Sequence, residues 1–268
     1  MNLAVITELP LVILNVQRGG PSTGLPTKSE QTDLLQALFG RNGESPMPVI
    51  AATSPTNCFD AAYYASKMAL EHMTPVVLLT DAFVANGSGA FKLPDLNDYP
   101  DICPPYVTPE MAGSYTPYMR NPDTQVRYWA IPGQEGYMHI LGGLEKDGRT
   151  GAISTDPENH DKMCRLRAEK VARIPVPDVE VQGCVDDAEL LIVGFGGTYG
   201  HLHSAMDEMV ATGKKVALAH FSYLNPLPAN TAEVLKRYKK VVVAEQNLGQ
   251  FAAYLRMKVD GFVPYQFN

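Results

Sequence analysis

Residues 9–16 read LPLVILNV, an unbroken apolar run rich in β-branched side chains. That is the pattern of a parallel strand buried on both faces. A loop dense in glycine and proline follows it, residues 17–28 (QRGGPSTGLPTK). Beyond the loop, Ser29 and Glu30 open a helical stretch through Leu34, Leu35 and Leu38, and Met47–Ala52 is a second short strand. Ser54-Pro55 has the form of an N-cap followed by proline at the first helical position. Phe59, Ala62, Ala65, Met68 and Ala69 recur at helical spacing, and Pro75–Thr80 (PVVLLT) reads as a third buried strand. Strands alternating with helices predict an α/β fold with parallel sheet and crossover connections.

The character changes between about Asn86 and Arg127, where prolines and tyrosines are frequent and periodicity is lost. This stretch reads as an extended surface excursion or linker. Val126–Ile131 is a candidate short strand, and Asp156 caps a helix running to Ala172. Ile174-Pro175-Val176-Pro177 has the look of an interdomain joint. A second α/β unit follows: strands at Glu189–Val193, Lys215–Ala219 and Val241–Glu245, with helices at His201–Thr212, Ala229–Tyr238 and Leu248–Lys258. The expected organisation is a partial first unit (1–125), a connector with one long helix (126–175) and an incomplete second unit (176–268). Both ends read as cut.

Composition excludes several classes. With 45% hydrophobic and 19% charged residues the chain can bury a core and is not of the disordered type. A net charge of −7 gives no long-range attraction for phosphate backbones, so nucleic acid is not expected as a partner. Cys58, Cys103, Cys164 and Cys184 form no C-x-x-C pair, so no zinc or iron–sulfur site is built locally, and free thiols in a reducing compartment are expected. The first residues lack the basic region of a signal peptide. No apolar run approaches the roughly 20 residues that span a bilayer, so no membrane association is expected and cytoplasm is the default.

The loop carries the chemistry. It leaves the carboxyl end of a parallel strand, where ligand sites of α/β proteins lie. Its glycines allow close backbone approach and its prolines stiffen it. Arg18 can grip a carboxylate with two parallel hydrogen bonds, Thr27 adds a hydroxyl and Lys28 a second cation. Such a set suits a small anion, including a dicarboxylate. The competing reading is a turn whose Arg18 and Lys28 are merely solvated. The P-loop pattern is not matched.

The stretch NVQRGGPSTGLPTKSEQTDLLQ (15–36) resembles the thiamine-diphosphate-dependent 2-oxoacid:ferredoxin oxidoreductases, and is most similar to the alpha subunit of the 2-oxoglutarate type. TPVVLLTDAFVANGS (74–88), WAIPG (129–133), GGLEKDGRTGAISTDPENH (142–160) and VVVAEQNLGQ (241–250) extend the resemblance along the chain. It implies a pyrimidine-binding-type domain followed by a transketolase-C-like one. It implies oxidative decarboxylation of 2-oxoglutarate to succinyl-CoA with coenzyme A and ferredoxin, in complex with a beta subunit. Thiamine diphosphate would be shared with that subunit, and Mg²⁺ and an iron–sulfur cluster would lie in it, with none in this chain. Arg18, Thr27 and Lys28 would bind substrate. The same chemistry on pyruvate or a branched-chain 2-oxoacid, or a truncated subunit without turnover, are the alternatives. The family's cofactor-activating glutamate belongs to a region before Met1, so no catalytic residue is assigned; Glu8 reads as structural or interfacial.

Four other features carry less. Gly194–Gly200 (GFGGTYG) follows a strand and opens a helix, as a dinucleotide site requires, but the next strand ends in His220 where a ribose-binding acid belongs. Tight strand-to-helix packing is the expected role. His201 and His203 point to different helix sides, and His139 and His160 read as satisfied structural residues. Asp81 reads as a cap, and Glu245-Gln246-Asn247 as a polar junction between domains or subunits.

Overall fold

The computed structural model describes residues 1–268. In chain order the elements are α1 (Asn2–Thr7), β1 (Leu11–Gln17), α2 (Leu34–Phe39), β2 (Val49–Ala51), α3 (Cys58–His72), β3 (Pro75–Asp81), α4 (Ala82–Asn86), α5 (Pro157–Ala172) and β4 (Val181–Gly183). They continue with β5 (Leu190–Phe195), α6 (Tyr199–Ala211), β6 (Val216–Phe221), β7 (Tyr223–Asn225), α7 (Thr231–Arg237), β8 (Val241–Ala244), α8 (Gln250–Lys258) and β9 (Tyr265–Phe267). They form two sheets, ordered β1-β3-β2-β7 and β4-β6-β5-β8-β9. All pairings are parallel except β2 with β7 and β4 with β6. This is the expected α/β fold with two parallel-dominated sheets.

The central strand is β3, every residue of which is buried. Its neighbour β1 was expected to be buried on both faces but is an edge strand. It pairs only with β3, and Leu11, Leu14 and Val16 are 43%, 59% and 42% exposed. An apolar run reports affinity for burial and cannot report which edge of a sheet the strand occupies. Helix α2 starts at Leu34 rather than Ser29, because residues 29–33 run inward with Gln31 fully buried. Val126–Ile131 forms no strand, only the isolated bridges Arg120↔Arg127 and Tyr106↔Trp129.

The two sheets share one apolar core. Val49, Ala51, Val77 and Leu79 of the first pack in one cluster with Leu191, Val193, Phe195, Ala217 and Phe221 of the second. The other face of the first sheet packs on α3 through Ala61, Ala65, Met68, Val76 and Leu78. After Phe221 the chain crosses back, so β7 completes the first sheet beside β2.

The irregular excursion is anchored by charge. Glu8, fully buried, accepts from Arg120 Nη1 at 2.9 Å and from Lys170 Nζ of α5 at 2.5 Å. Arg127, also fully buried, donates from Nε to the Glu8 carbonyl at 3.1 Å. One residue therefore gathers cations from two distant segments, residues 120–127 and α5. No helix is long and apolar enough to cross a membrane.

Candidate functional site

The loop after β1 is closed at its neck and open at its tip. Gly19 N donates to the Lys28 carbonyl at 3.0 Å, and Leu25 N to the Gly19 carbonyl at 2.9 Å. The backbones that carry Arg18 and Lys28 are therefore held side by side, and both side chains are exposed. Glycine is required at Gly24, where a Cβ would lie 2.7 Å from the Gly20 carbonyl oxygen. Thr27 has φ 66°, a left-handed conformation that costs a β-branched residue about 1–3 kcal/mol. Such cost concentrates where a side chain must be aimed.

Below the neck the loop is bolted down. Gln17 Nε2 donates to the Thr80 carbonyl at 3.3 Å, while its Oε1 accepts from Asp33 N at 3.1 Å. Gln31 Nε2 donates to the Phe195 carbonyl at the end of β5 at 2.7 Å, and Gln31 Oε1 accepts from Gln246 N at 3.2 Å. Asn247 Nδ2 donates to the Gln31 carbonyl at 2.8 Å, and Gln250 Nε2 to the Thr32 carbonyl at 2.7 Å. Gln246, Asn247 and Gln250 thus form a polar junction to the loop's descending arm. Glu245 accepts from Phe251 N at 2.7 Å and Ala252 N at 3.0 Å at the start of α8. Burial pushes its carboxyl up from the ordinary value, against those hydrogen bonds.

The strand ends supply few free groups. Asp81 caps α4, accepting from Val84 N at 2.9 Å. A Cβ on Gly197 would lie 2.0 Å from Asp81 Oδ2, and one on Gly194 would lie 2.3 Å from Leu202 Cδ1. Gly194 and Gly197 of the second turn therefore serve close packing, as the sequence suggested. His220, half-buried behind that turn, is held far below the usual imidazole range, at about 3, by desolvation. Thr80 Oγ1 is buried without a hydrogen-bond partner.

Among the other histidines, His203 pairs with Asp207 at 3.1 Å while the His201 ring lies against Phe83, confirming that they face apart. His139 Nδ1 lies 2.8 Å from the Tyr137 carbonyl, and His160 Nδ1 lies 2.8 Å from Glu145 Oε2. A cavity of about 520 Å³ lined by Asp60, Tyr64, Tyr99 and Tyr223 takes no residue from the loop. The loop is the better candidate because it holds the backbones of two exposed cations side by side at the carboxyl end of a parallel strand.

Sequence reasoning singled out Arg18, Thr27 and Lys28, which lie together, exposed, at the loop's neck. It missed Gln17 and Gln31, whose work is to orient that loop. Two glutamines flanking a glycine loop were the available signal, a weak one.

Residues 1–146 match the family model described as pyruvate flavodoxin/ferredoxin oxidoreductase, thiamine diphosphate-binding. Residues 188–264 match the pyruvate:ferredoxin oxidoreductase core domain II. The chain is 52% identical over 96% of its length to the 2-oxoglutarate oxidoreductase subunit KorA of Mycobacterium tuberculosis, covering 39% of that protein. It is 30% identical over 92% of its length to the 2-oxoglutarate synthase subunit KorA of Methanothermobacter marburgensis, covering 65% of it. A solved structure of the 2-oxoglutarate:ferredoxin oxidoreductase from Magnetococcus marinus, with 2-oxoglutarate, coenzyme A and succinyl-CoA bound, superposes with a TM-score of 0.90 at 32% identity. The match covers 99% of this chain and 47% of that one. The chain thus spans between about two fifths and two thirds of the length of these relatives.

Proposed function

This chain belongs to the pyruvate flavodoxin/ferredoxin oxidoreductase family and contains its thiamine-diphosphate-binding domain, and from that premise we propose that it is the alpha part of a 2-oxoglutarate:ferredoxin oxidoreductase. It oxidatively decarboxylates 2-oxoglutarate to succinyl-CoA, with coenzyme A and ferredoxin, and only when joined to a beta subunit. The observation that carries this is the loop itself. Two cations sit at a rigid neck above the sheet and face no opposing wall from this chain. Fixed positive charge beside a carboxylate-bearing substrate lowers the reorganisation needed during reaction. In this reading Arg18 and Lys28 hold the carboxylates and Thr27 positions the substrate.

Thiamine diphosphate, when bound, supplies the electron sink for the decarboxylation. The residues here fit one wall of its site. Thr80 Oγ1, near the carboxyl end of β3, has no hydrogen-bond partner within the chain, whereas Asp81 is committed to its cap. The diphosphate, its Mg²⁺ and the iron–sulfur cluster belong, in this reading, to the beta subunit. The division into 1–125, 126–175 and 176–268 is part of the same reading, supported by two separate family matches, as is a cytoplasmic location. A pyruvate or branched-chain substrate, or a subunit without turnover, are the competing readings.

The test is reduction of a viologen dye by 2-oxoacids with coenzyme A and thiamine diphosphate, for this chain alone and mixed with the beta subunit. Turnover of 2-oxoglutarate confined to the mixture is expected. Preference for pyruvate would move the substrate assignment. No turnover with the two chains still bound to each other would favour the non-catalytic subunit.

A further inference from the structure

Helix α5, whose Lys170 bonds Glu8 and the Met73 carbonyl ahead of β1 and β3, carries a cluster that the family reading does not use. His160 and Cys164 stand one helical turn apart on the same face, the spacing at which two side chains can share a ligand. Glu145, from the irregular segment before the helix, completes the set, and one donor atom from each of the three lies within 4.8 Å of the others. Cys164 Sγ is 3.7 Å from His160 Nε2 and 3.9 Å from Nδ1, and Nδ1 is 2.8 Å from Glu145 Oε2.

These separations can be compared with a tetrahedral site. With zinc–sulfur bonds of about 2.3 Å and zinc–nitrogen or zinc–oxygen bonds of about 2.0–2.1 Å, neighbouring donors stand roughly 3.3–3.6 Å apart. The sulfur–nitrogen edge is already within a few tenths of an ångström. The nitrogen–oxygen edge must open by about half an ångström, which rotation of the largely exposed His160 ring can supply. Arg167 fixes Glu145 in place, Nη1 to Oε1 at 3.1 Å and Nη2 to Oε2 at 2.9 Å. A carboxylate has about four lone-pair sites; Oε1 also accepts from Lys146 N at 3.3 Å, so the acceptor direction open to a cation is the one on Oε2 that His160 Nδ1 now faces. The same Arg167 guanidinium that holds Glu145 donates from Nη2 to Cys164 Sγ at 3.3 Å, so the carboxylate, the imidazole and the thiol are gathered at one point.

We propose that Glu145, His160 and Cys164 form a binding site for a thiophilic divalent cation of the zinc class, with the fourth position open to solvent. The Arg167 guanidinium, 3.3 Å from Sγ, repels any cation. Only one that gains strong sulfur and imidazole bonds overcomes that repulsion, which excludes Mg²⁺ and Ca²⁺ with their demand for many oxygens. The site is independent of the 2-oxoacid assignment.

The experiment is an anaerobic titration of the 268-residue chain with Co²⁺ in a phosphine reductant. One Co²⁺ per chain is expected, with a near-ultraviolet sulfur-to-cobalt charge-transfer band and the visible bands of tetrahedral cobalt, all displaced by Zn²⁺. Cys164→Ser should abolish the charge-transfer band and His160→Gln should weaken binding at least tenfold, with far-ultraviolet circular dichroism unchanged in both. Absence of the band in the parent chain, or its survival in Cys164→Ser through Cys58, Cys103 or Cys184, would overturn the proposal.

Discussion

The Gln31 side chain donates to the Phe195 carbonyl at 2.7 Å, across 164 residues of sequence. It thereby ties the descending arm of the glycine-rich loop to the strand end of the other sheet. Replacing it with leucine removes that bond and leaves Gln246 N without its acceptor. Gln31→Leu should lower stability by about 1–3 kcal/mol in urea denaturation, because buried polar groups lose partners that water cannot replace. An unchanged midpoint would mean that the junction contributes nothing to the fold.

Glu8 makes a pH prediction. Burial alone would raise its carboxyl, but Lys170 and Arg120 outweigh it and hold it at about 2, below the ordinary 4.5. A folded value below the unfolded one means that its stabilisation is complete above pH 4.5 and is lost as pH falls towards 2. In that window this group should contribute a slope of up to about 1.4 kcal/mol per pH unit, and Glu8→Gln should abolish it. Denaturation curves between neutral pH and the acid limit decide this. Equal slopes in parent and variant would refute it.

The same variant tests the charge balance. At neutral pH Glu8→Gln leaves Lys170 and Arg120 buried without a counter-ion, a loss of about 3–5 kcal/mol. Adding Lys170→Met should recover part of it, since residues in one network do not behave additively. Simple addition of the two losses would show that they act separately.

In the assembled enzyme, Arg18→Ala should lower kcat/KM at least about tenfold, equivalent to roughly 1.4 kcal/mol of transition-state binding. Lys28→Met should harm 2-oxoglutarate turnover more than pyruvate turnover. Equal effects on both substrates would reduce Lys28 to a structural role.

Thr27 separates stability from activity. Its φ of 66° suits glycine better than threonine. Thr27→Gly should leave the fold as stable or raise stability by up to about 1 kcal/mol, while kcat/KM falls as the hydroxyl is lost. A variant that is both less stable and fully active would show that the hydroxyl serves the fold instead.

The alternation of apolar runs with helical periodicity was enough to announce two α/β units, because strand and helix periods are local properties of the chain. The loop of residues 17–28 was legible for the same reason, since closely spaced glycines and prolines bracketing Arg18 and Lys28 act within a dozen residues. The cap of α4 by Asp81 and the packing role of the Gly194–Gly200 turn were also local, and both stand.

Only the tertiary structure decided the rest. That LPLVILNV forms an edge strand, that β7 returns to the first sheet, and that the two sheets share one core depend on which surfaces meet. Glu8 and Lys170 lie 162 residues apart, and nothing around either announces the other. His160 and Cys164 are neighbours by helix geometry, but the approach of Glu145 to them is set by the fold of the irregular segment before the helix. The sequence by itself determined most of the elements and the residue types that the loop presents, since those rest on backbone preference and side-chain type. The tertiary structure alone decided which charges are buried together and which strand stays open, since those energies exist only once distant segments exclude water from one another.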